Sequence, residues 1–167
     1  VALEWEEGSL TRRLGFSGDV GRSGLAIIRD PEPLENVDWM VMESTYGDRD
    51  HTSVEGARAA LGRVVRETVG RGGRVLIPAF AVGRTQELLY NLHQLTLAGE
   101  IPRVPIVIDS PLASEATAVF RENTSIFDSS EPMVRSHDRN RAAIFDFDLV
   151  QFTPGVEDSK AMMRRPG

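Results

Sequence analysis

Cysteine is absent from this 167-residue chain, and histidine occurs only three times. The lack of cysteine excludes disulfides and metal sites built from thiolates, and it is consistent with a reducing compartment. Metal-binding chemistry would therefore depend on carboxylates and a few scattered imidazoles. The sequence also contains no internal repeat and no low-complexity tract.

Long apolar runs and an N-terminal signal pattern are missing as well. These absences predict a soluble, cytoplasmic protein with no membrane partner. The net charge is −6, with acids and bases interspersed, and a smooth acidic surface would repel nucleic acid. A polyanionic partner must therefore meet a local patch that is basic or lined with metal ions. The composition, 41% hydrophobic and 26% charged, is sufficient to form a core.

The first fifty residues have the pattern of a small sheet. Apolar stretches at residues 1–6 and 10–16 flank a turn at residues 7–9, which predicts a β-hairpin. Residues 30–33 contain two prolines and form a rigid, non-helical connector. The apolar run at residues 39–42 predicts a short buried strand.

The pattern then changes to alternating helices and strands, so we expect a domain boundary near residues 47–51. Thr52 or Ser53 is suited to cap a helix that ends near Gly70. Further predicted elements are a buried strand at 74–78, a helix at 83–98, a strand at 104–108, a helix at 112–120, a strand at 149–152 and a helix at 156–164. This alternation favours an α/β fold with a mostly parallel sheet flanked by helices. Residues 122–141 are polar and weakly patterned, which predicts an irregular surface segment.

Two carboxylates, Asp19 and Glu43, each follow an apolar stretch and precede a glycine turn. We expect both at strand ends with their oxygens directed away from the sheet, where α/β proteins place metals and catalytic groups. Taken alone, Asp19 also fits an Asx-turn or a helix N-cap. Glu43 also fits an ion pair with an arginine at the edge of the sheet.

Two strand-to-helix turns are candidates for binding substrate. Backbone N–H groups at residues 83–86, with Arg84 and Thr85, are suited to bind a phosphate. The alternative is an ordinary capped helix with a solvated arginine. At the second turn, Ser110 either donates to a phosphate or caps the helix that follows.

Three further side chains, two of them candidates for contact with a metal or a substrate, need an interpretation. His51 is close to Glu43 in sequence and could approach a metal centre or a phosphate, or be an ordinary surface histidine. Phe80, at a loop tip, could stack on a base or make an apolar contact within the protein. His93 lies among the leucines of a helix and is predicted to be structural.

Several motifs follow one another in a fixed order along the chain. They are Phe-Ser-Gly-Asp-Val-Gly-Arg at residues 16–22, Met-Glu-Ser-Thr-Tyr-Gly-Asp-Arg at 42–49, Pro-Ala-Phe-Ala-Val-Gly-Arg-Thr-Gln-Glu-Leu-Leu at 78–89, Ile-Asp-Ser-Pro-Leu-Ala at 108–113, and matching residues within 152–160. In this order they resemble the metallo-β-lactamase superfamily and, within it, the β-CASP branch of RNA-processing nucleases. The likeness is greatest to the cleavage-and-polyadenylation endonuclease group and its prokaryotic homologues, and it covers essentially the whole chain.

The resemblance implies an architecture and a set of roles. Residues 1–47 would be the end of a metallo-β-lactamase β-sandwich, and residues 48–167 most of a β-CASP domain. Asp19 would bridge two zinc ions, and Glu43 would orient a histidine that protonates the leaving oxygen. The implied activity is zinc-dependent hydrolysis of single-stranded RNA in the cleft between the two domains. The implied substrate contacts are Arg84, Thr85, Ser110, His51 and Phe80.

The sequence departs from the family pattern in its histidines. The family's His-x-His-x-Asp-His metal motif has no counterpart here, since His51, His93 and His137 lack that spacing. We therefore interpret the chain as an internal piece of a larger enzyme, which alone would neither retain two zinc ions tightly nor cleave RNA.

Other interpretations stay open at this point. A non-catalytic RNA-binding or scaffold member of the same family, or its DNA-repair nuclease branch, would carry similar motifs, and a homodimer is compatible with either. An unrelated doubly wound small-ligand domain would explain the alternation of elements. It would not explain the two acidic motifs, and the sequence has no Gly-rich nucleotide fingerprint.

Overall fold

The computed structural model describes residues 1–137, 140–153 and 155–164. Contacts between residues divide the chain into two compact units. The first unit consists of Val1–Leu25 and Arg29–Thr52, and the second of Ala26–Ile28 with the chain from Ser53 onward. None of the helices in the described ranges is both long enough and apolar enough to cross a lipid bilayer.

The first unit contains a three-stranded sheet. Strands β1 (Ala2–Glu7) and β2 (Leu10–Phe16) form an antiparallel hairpin, and β3 (Trp39–Val41) pairs in parallel with β2. The predicted hairpin is therefore confirmed. Its turn contains Gly8 with φ +67°, a backbone conformation that favours glycine.

The prediction of a buried strand at residues 39–42 is wrong in one respect, because β3 is exposed. Trp39 is 49% and Val41 55% exposed. Trp39 stacks on Trp5 with ring centroids 5.7 Å apart, and the Arg12 guanidinium lies 5.5 Å from its ring. No other described element of this unit covers that face of the sheet, so an apolar run predicted the strand correctly but not its burial.

The second unit contains five α-helices and two short strands within its described residues. They are α1 (Val54–Gly70), α2 (Arg84–Leu97), β4 (Ile106–Ile108), α3 (Pro111–Glu122), α4 (Pro132–Ser136), β5 (Val150–Phe152) and α5 (Val156–Arg164). Two helices begin at serine caps as expected: the Ser53 hydroxyl accepts the Gly56 N–H, and the Ser110 hydroxyl accepts the Ala113 N–H.

Strands β4 and β5 are parallel, with Ile106 opposite Val150 and Ile108 opposite Phe152. Their carboxyl ends therefore lie at one edge, where α3 and α5 begin. The buried strand predicted at residues 74–78 is not formed among the described residues, and Leu76 in it is 77% exposed. That segment pairs with no described strand, so its β-branched composition alone does not make it part of the sheet.

The core of the second unit includes residues from the segment expected to lie on the surface. Phe127, Met133 and Val134, all within residues 122–141, are buried. They join a cluster completed by Ile27, Leu89, Tyr90, Phe120, Ile144 and Phe145. The surface prediction was wrong because these apolar residues occupy short turns and one brief helix, which leave no helical or strand periodicity in the sequence.

Candidate active-site residues

Asp19 and Glu43 follow the carboxyl ends of two neighbouring parallel strands, β2 and β3. Beyond these ends, the Ser17 N–H donates to the Val41 carbonyl at 3.0 Å, and the Ser17 hydroxyl accepts the Glu43 N–H at 3.1 Å. The Glu43 Oε1 atom accepts the N–H of Val20 at 2.7 Å. Because Val20 is the residue after Asp19, the structure brings the two acidic segments together.

The carboxylate of Glu43 is held by hydrogen bonds, and no arginine among the described residues forms an ion pair with it. The Thr45 hydroxyl, the Val20 N–H and the Thr45 N–H together lower the pKa of Glu43, with the Thr45 hydroxyl contributing most. The arginine pairing considered for this residue is therefore not what the structure shows. Glu43 is anionic at neutral pH and fixed in orientation at the strand end.

Asp19 differs from Glu43 because its carboxylate is free. It is exposed, and in the part of the chain that the structure describes its side chain forms no hydrogen bond and no ion pair. It does not cap a helix, since no helix follows in this segment. Gly18, directly before it, has φ +61°, which a residue with a Cβ rarely adopts. The backbone thus turns sharply and presents an unpaired carboxylate.

A metal site requires more ligands than these. Across residues 1–137, 140–153 and 155–164, no group of three or more His, Asp or Glu side chains converges with the spacing of a metal site. A lone carboxylate does not complete the coordination of zinc. The residues described here therefore do not form a metal centre by themselves, although Asp19 is available as one ligand.

His51 lies in the same unit as the two acids but among different neighbours. It is exposed, and its ring meets the Tyr46 ring edge-on with centroids 5.4 Å apart. The Arg49 guanidinium lies 5.6 Å from the same tyrosine ring. No contact among the described residues joins His51 to Asp19 or Glu43.

In the second unit, the start of α2 is organised by its own loop. The Thr85 N–H and hydroxyl both donate to the Phe80 carbonyl, at 3.3 and 2.9 Å, and the Arg84 N–H donates to the Val82 carbonyl. These groups are therefore less free to bind a phosphate than the sequence suggested. The Arg84 side chain remains largely exposed, with Glu87 at 3.9 Å. Phe80 is 84% exposed at the tip of this loop.

Gln86 is a residue whose role the sequence analysis missed. It is fully buried, and its Nε2 donates to the Ala81 carbonyl and to the Thr117 hydroxyl, at 3.1 and 2.8 Å. These bonds fix the loop that carries Phe80 to α2 and α3. The sequence signal for Gln86 was a polar residue in the first turn of a helix that follows a glycine. That signal does not show that the side chain is buried.

Ser110 and Asp109 occupy the second strand-to-helix turn. Ser110 caps α3, which was one of the two roles considered for it. Asp109 was not predicted as a site residue, yet both its oxygens accept hydroxyl protons, from Thr153 at 2.7 Å and Ser159 at 2.8 Å. The sequence signal for Asp109 was an acid between an apolar strand and a serine that caps the next helix.

His93 is structural, as predicted. It is buried on α2, its Nδ1 lies 3.1 Å from the Ile144 carbonyl, and its ring stacks on Phe147 at 4.0 Å. Burial is the main cause that lowers the pKa of His93. The imidazole is therefore neutral and part of the packing.

The hydrogen bonds of Glu43 lead to a prediction about its titration. We expect carboxyl NMR to give a pKa for Glu43 below that of an unperturbed glutamate, and Thr45→Val to raise it, because the hydroxyl that favours the charged form is lost. The folded-state pKa is depressed, so this stabilisation is present above the unfolded-state pKa and is lost as pH falls through the folded-state value. Thr52→Val is the matched control. An equal rise of the Glu43 pKa in both variants would contradict the Thr45 hydroxyl as the main cause of the lowered pKa.

Comparison with known proteins shows what the chain resembles. The family model described as the Beta-Casp domain matches residues 85–167. Ribonuclease TTHA0252 of Thermus thermophilus is 33% identical over 156 residues, which cover 93% of this chain and 35% of the relative. Cleavage and polyadenylation specificity factor subunit 3-I of Arabidopsis thaliana is 35% identical over 158 residues, which cover 86% of this chain and 23% of the relative. Endoribonuclease ysh1 of Schizosaccharomyces pombe is 36% identical over 108 residues, which cover 64% of this chain and 14% of the relative.

The first unit carries two acids at the ends of neighbouring parallel strands, and the second unit combines helices with parallel strands. These features first define a class, an α/β protein with an acidic candidate site. The matches then indicate the family: residues 85–167 match the Beta-Casp domain, and most of the chain is similar to RNA-processing relatives such as the ribonuclease of Thermus thermophilus. The chain spans about a third or less of the length of these three relatives.

Proposed function

We propose that this chain is part of a zinc-dependent ribonuclease that hydrolyses phosphodiester bonds of single-stranded RNA. The observation that carries the proposal is the pair of acids: Glu43 is fixed by the N–H of the residue that follows Asp19, while Asp19 itself has no partner among the residues that the structure describes. Three relatives named as ribonuclease, endoribonuclease and polyadenylation specificity factor support the substrate class. In this proposal, residues 1–47 belong to a metallo-β-lactamase domain and residues 48–167 to the β-CASP domain.

The two acids have different tasks in the proposal. Phosphodiester hydrolysis needs positive charge to balance the anionic transition state, and a zinc pair, when bound, would supply that charge and activate water. Asp19 would contribute one ligand, because within residues 1–137, 140–153 and 155–164 its carboxylate has no competing partner. The remaining ligands are proposed to lie in the longer protein. Glu43, held anionic by Thr45 and Val20, is proposed to accept a hydrogen bond from a histidine of the longer protein and so to orient it.

Arg84 and Phe80 are proposed as contacts with RNA in the second unit. Arg84 carries an exposed guanidinium with only a long contact to Glu87, so it is available to a phosphate. Phe80 presents an exposed ring from a loop that Gln86 and Thr85 hold rigidly. A rigid exposed ring is suited to base stacking, because little conformational entropy is lost on binding.

Replacement of Phe80 tests the stacking contact. In the full-length protein, Phe80→Ala is expected to raise KM for single-stranded RNA about tenfold with little change in kcat, since a base–aromatic stack contributes about 1–3 kcal/mol. Steady-state kinetics on a labelled oligonucleotide measures this. Val82→Ala removes an apolar side chain that is also exposed in the same loop but has no ring, and it is expected to leave KM unchanged. Equal effects of the two substitutions would exclude stacking.

The function itself is tested with the full-length protein and a labelled single-stranded RNA. We expect cleavage with added zinc, loss of cleavage with a chelator and restoration by zinc. A single-stranded DNA of the same sequence is expected to be cleaved far more slowly, and preference for DNA would favour the repair branch instead. RNA binding without cleavage at any zinc concentration would overturn the catalytic proposal and indicate a non-catalytic RNA-binding member.

A further inference from the structure

Asp109 connects three elements at the carboxyl edge of the β4–β5 pair. It follows β4 directly, and its two carboxylate oxygens accept hydroxyl protons from residues 44 and 50 positions later in the chain. The Oδ1 atom is bonded by Thr153 at the end of β5, and the Oδ2 atom by Ser159 in α5. One exposed side chain thus ties β4, β5 and α5 together.

Thr153 makes this connection rigid. It is buried, its N–H donates to the Ile108 carbonyl at 3.2 Å, and its hydroxyl lies 2.7 Å from the Asp109 Oδ1. The Thr153 and Ser159 hydroxyls, in that order, lower the pKa of Asp109. The carboxylate therefore remains charged and hydrogen-bonded at neutral pH, with both oxygens fixed.

Ser110, the next residue, has the geometry of a donor. Its hydroxyl oxygen accepts the Ala113 N–H at 3.2 Å, and within the described residues its own proton has no acceptor. The free proton can donate to an anionic oxygen arriving at the start of α3. The direction of this hydroxyl depends on the backbone at residues 109–110, which the Asp109 hydrogen bonds hold in place.

We propose that Asp109 is a positioning residue for a substrate phosphate, acting through Ser110. This inference rests on the proposed function. Asp109 aligns the Ser110 hydroxyl by fixing the strand-to-helix turn against Thr153 and Ser159, and it does not touch the phosphate itself. The carboxylate keeps its two hydroxyl partners as it does so.

The charge of Asp109 makes the proposal testable. A carboxylate beside a bound phosphate repels it, so removing the charge would by itself strengthen RNA binding. If Asp109 positions Ser110, its removal weakens binding despite the loss of repulsion. The two effects have opposite signs in KM.

The experiment measures kcat and KM for single-stranded RNA in the full-length protein. Asp109→Ala is expected to raise KM about tenfold with kcat changed less than about threefold, as expected for loss of hydrogen bonds to a charged group. Asp109→Asn is expected to recover most of the loss, because the amide reaches both hydroxyls without the charge. Asp148→Ala is the matched control: Asp148 is exposed, pairs with Arg103 and precedes β5, at the opposite edge of the strand pair.

Each outcome decides the proposal. A KM that falls in Asp109→Ala would show that charge repulsion outweighs positioning and would overturn the proposal. An Asn variant as impaired as the Ala variant would show that hydrogen bonds to the two hydroxyls do not restore binding, and it would overturn the proposal as well. Equal impairment by Asp148→Ala would indicate a general loss of structure and would also overturn it. If the wild type binds RNA but does not cleave it, the dissociation constant replaces KM, so the inference is tested even when the catalytic proposal fails. If the wild type binds no RNA, both fail.

Discussion

The Asp19→Ala variant of the full-length protein is expected to lose RNA cleavage by at least about ten-thousandfold, the size of effect seen when one member of a catalytic group is removed. The physical reason is that Asp19 is the one carboxylate at this strand end with no internal partner among the described residues, whereas Glu43 is held by Val20 and Thr45. Its removal breaks no hydrogen bond described here, so the loss should be catalytic. Single-turnover cleavage of a labelled RNA measures it.

A matched control separates this catalytic loss from a general effect of removing charge. Asp48 is also exposed and lies in the same unit, and among the described residues its one ion-pair partner is the neighbouring Arg49. Asp48→Ala is therefore expected to change cleavage by less than about threefold, as surface ion pairs of this kind contribute little. Thermal unfolding of both variants should match the wild type. Cleavage that survives Asp19→Ala unchanged would refute the active-site assignment.

The elements that were predicted correctly are those with local signals. Helix α1 has apolar residues at helical spacing and a serine cap at Ser53, and α3 has the same kind of cap at Ser110, so their starts follow from hydrogen bonds over three residues. The first hairpin follows from two apolar stretches around Gly8. None of these signals requires knowledge of a distant residue.

The failures concern burial and pairing, which depend on distant parts of the chain. Trp39 and Val41 are apolar but exposed, while Phe127 and Val134 are buried in a segment without periodicity. Leu76 lies in a β-branched run that pairs with no described strand. A sequence pattern reports which face of an element is apolar, but the element that covers this face is set by tertiary contacts.

The candidate site was predictable to a similar extent. The positions of Asp19 and Glu43 at strand ends followed from apolar runs that precede glycine turns, and their neighbouring strands are parallel. The sequence could not predict that Glu43 is hydrogen-bonded while Asp19 has no partner among the described residues. This difference depends on the hydrogen bond from the Val20 N–H to Glu43, which spans 23 residues. Asp109 was missed for the same reason, since its partners are remote in sequence.

The core of the second unit is the scaffold on which its proposed RNA contacts depend. Phe145 is fully buried at its centre, edge-to-face against Phe127 at 5.7 Å and Phe120 at 6.1 Å. Phe120 belongs to α3, and Leu89 and Tyr90 of α2 join the same cluster. One aromatic ring thus stabilises the packing of both helices that begin at the candidate substrate-binding turns.

Phe145→Ala is expected to lower the free energy of unfolding by about 3–5 kcal/mol, because it removes buried apolar surface and leaves a cavity between two aromatic rings. Urea denaturation followed by circular dichroism measures the change. Phe80→Ala is the same substitution at a ring that is 84% exposed, and it is expected to change stability by less than about 0.5 kcal/mol. Similar losses in the two variants would mean that Phe145 does not pack as described. A large loss confined to Phe145→Ala would show that Phe145 stabilises the core and that the fold does not depend on the exposed ring of Phe80.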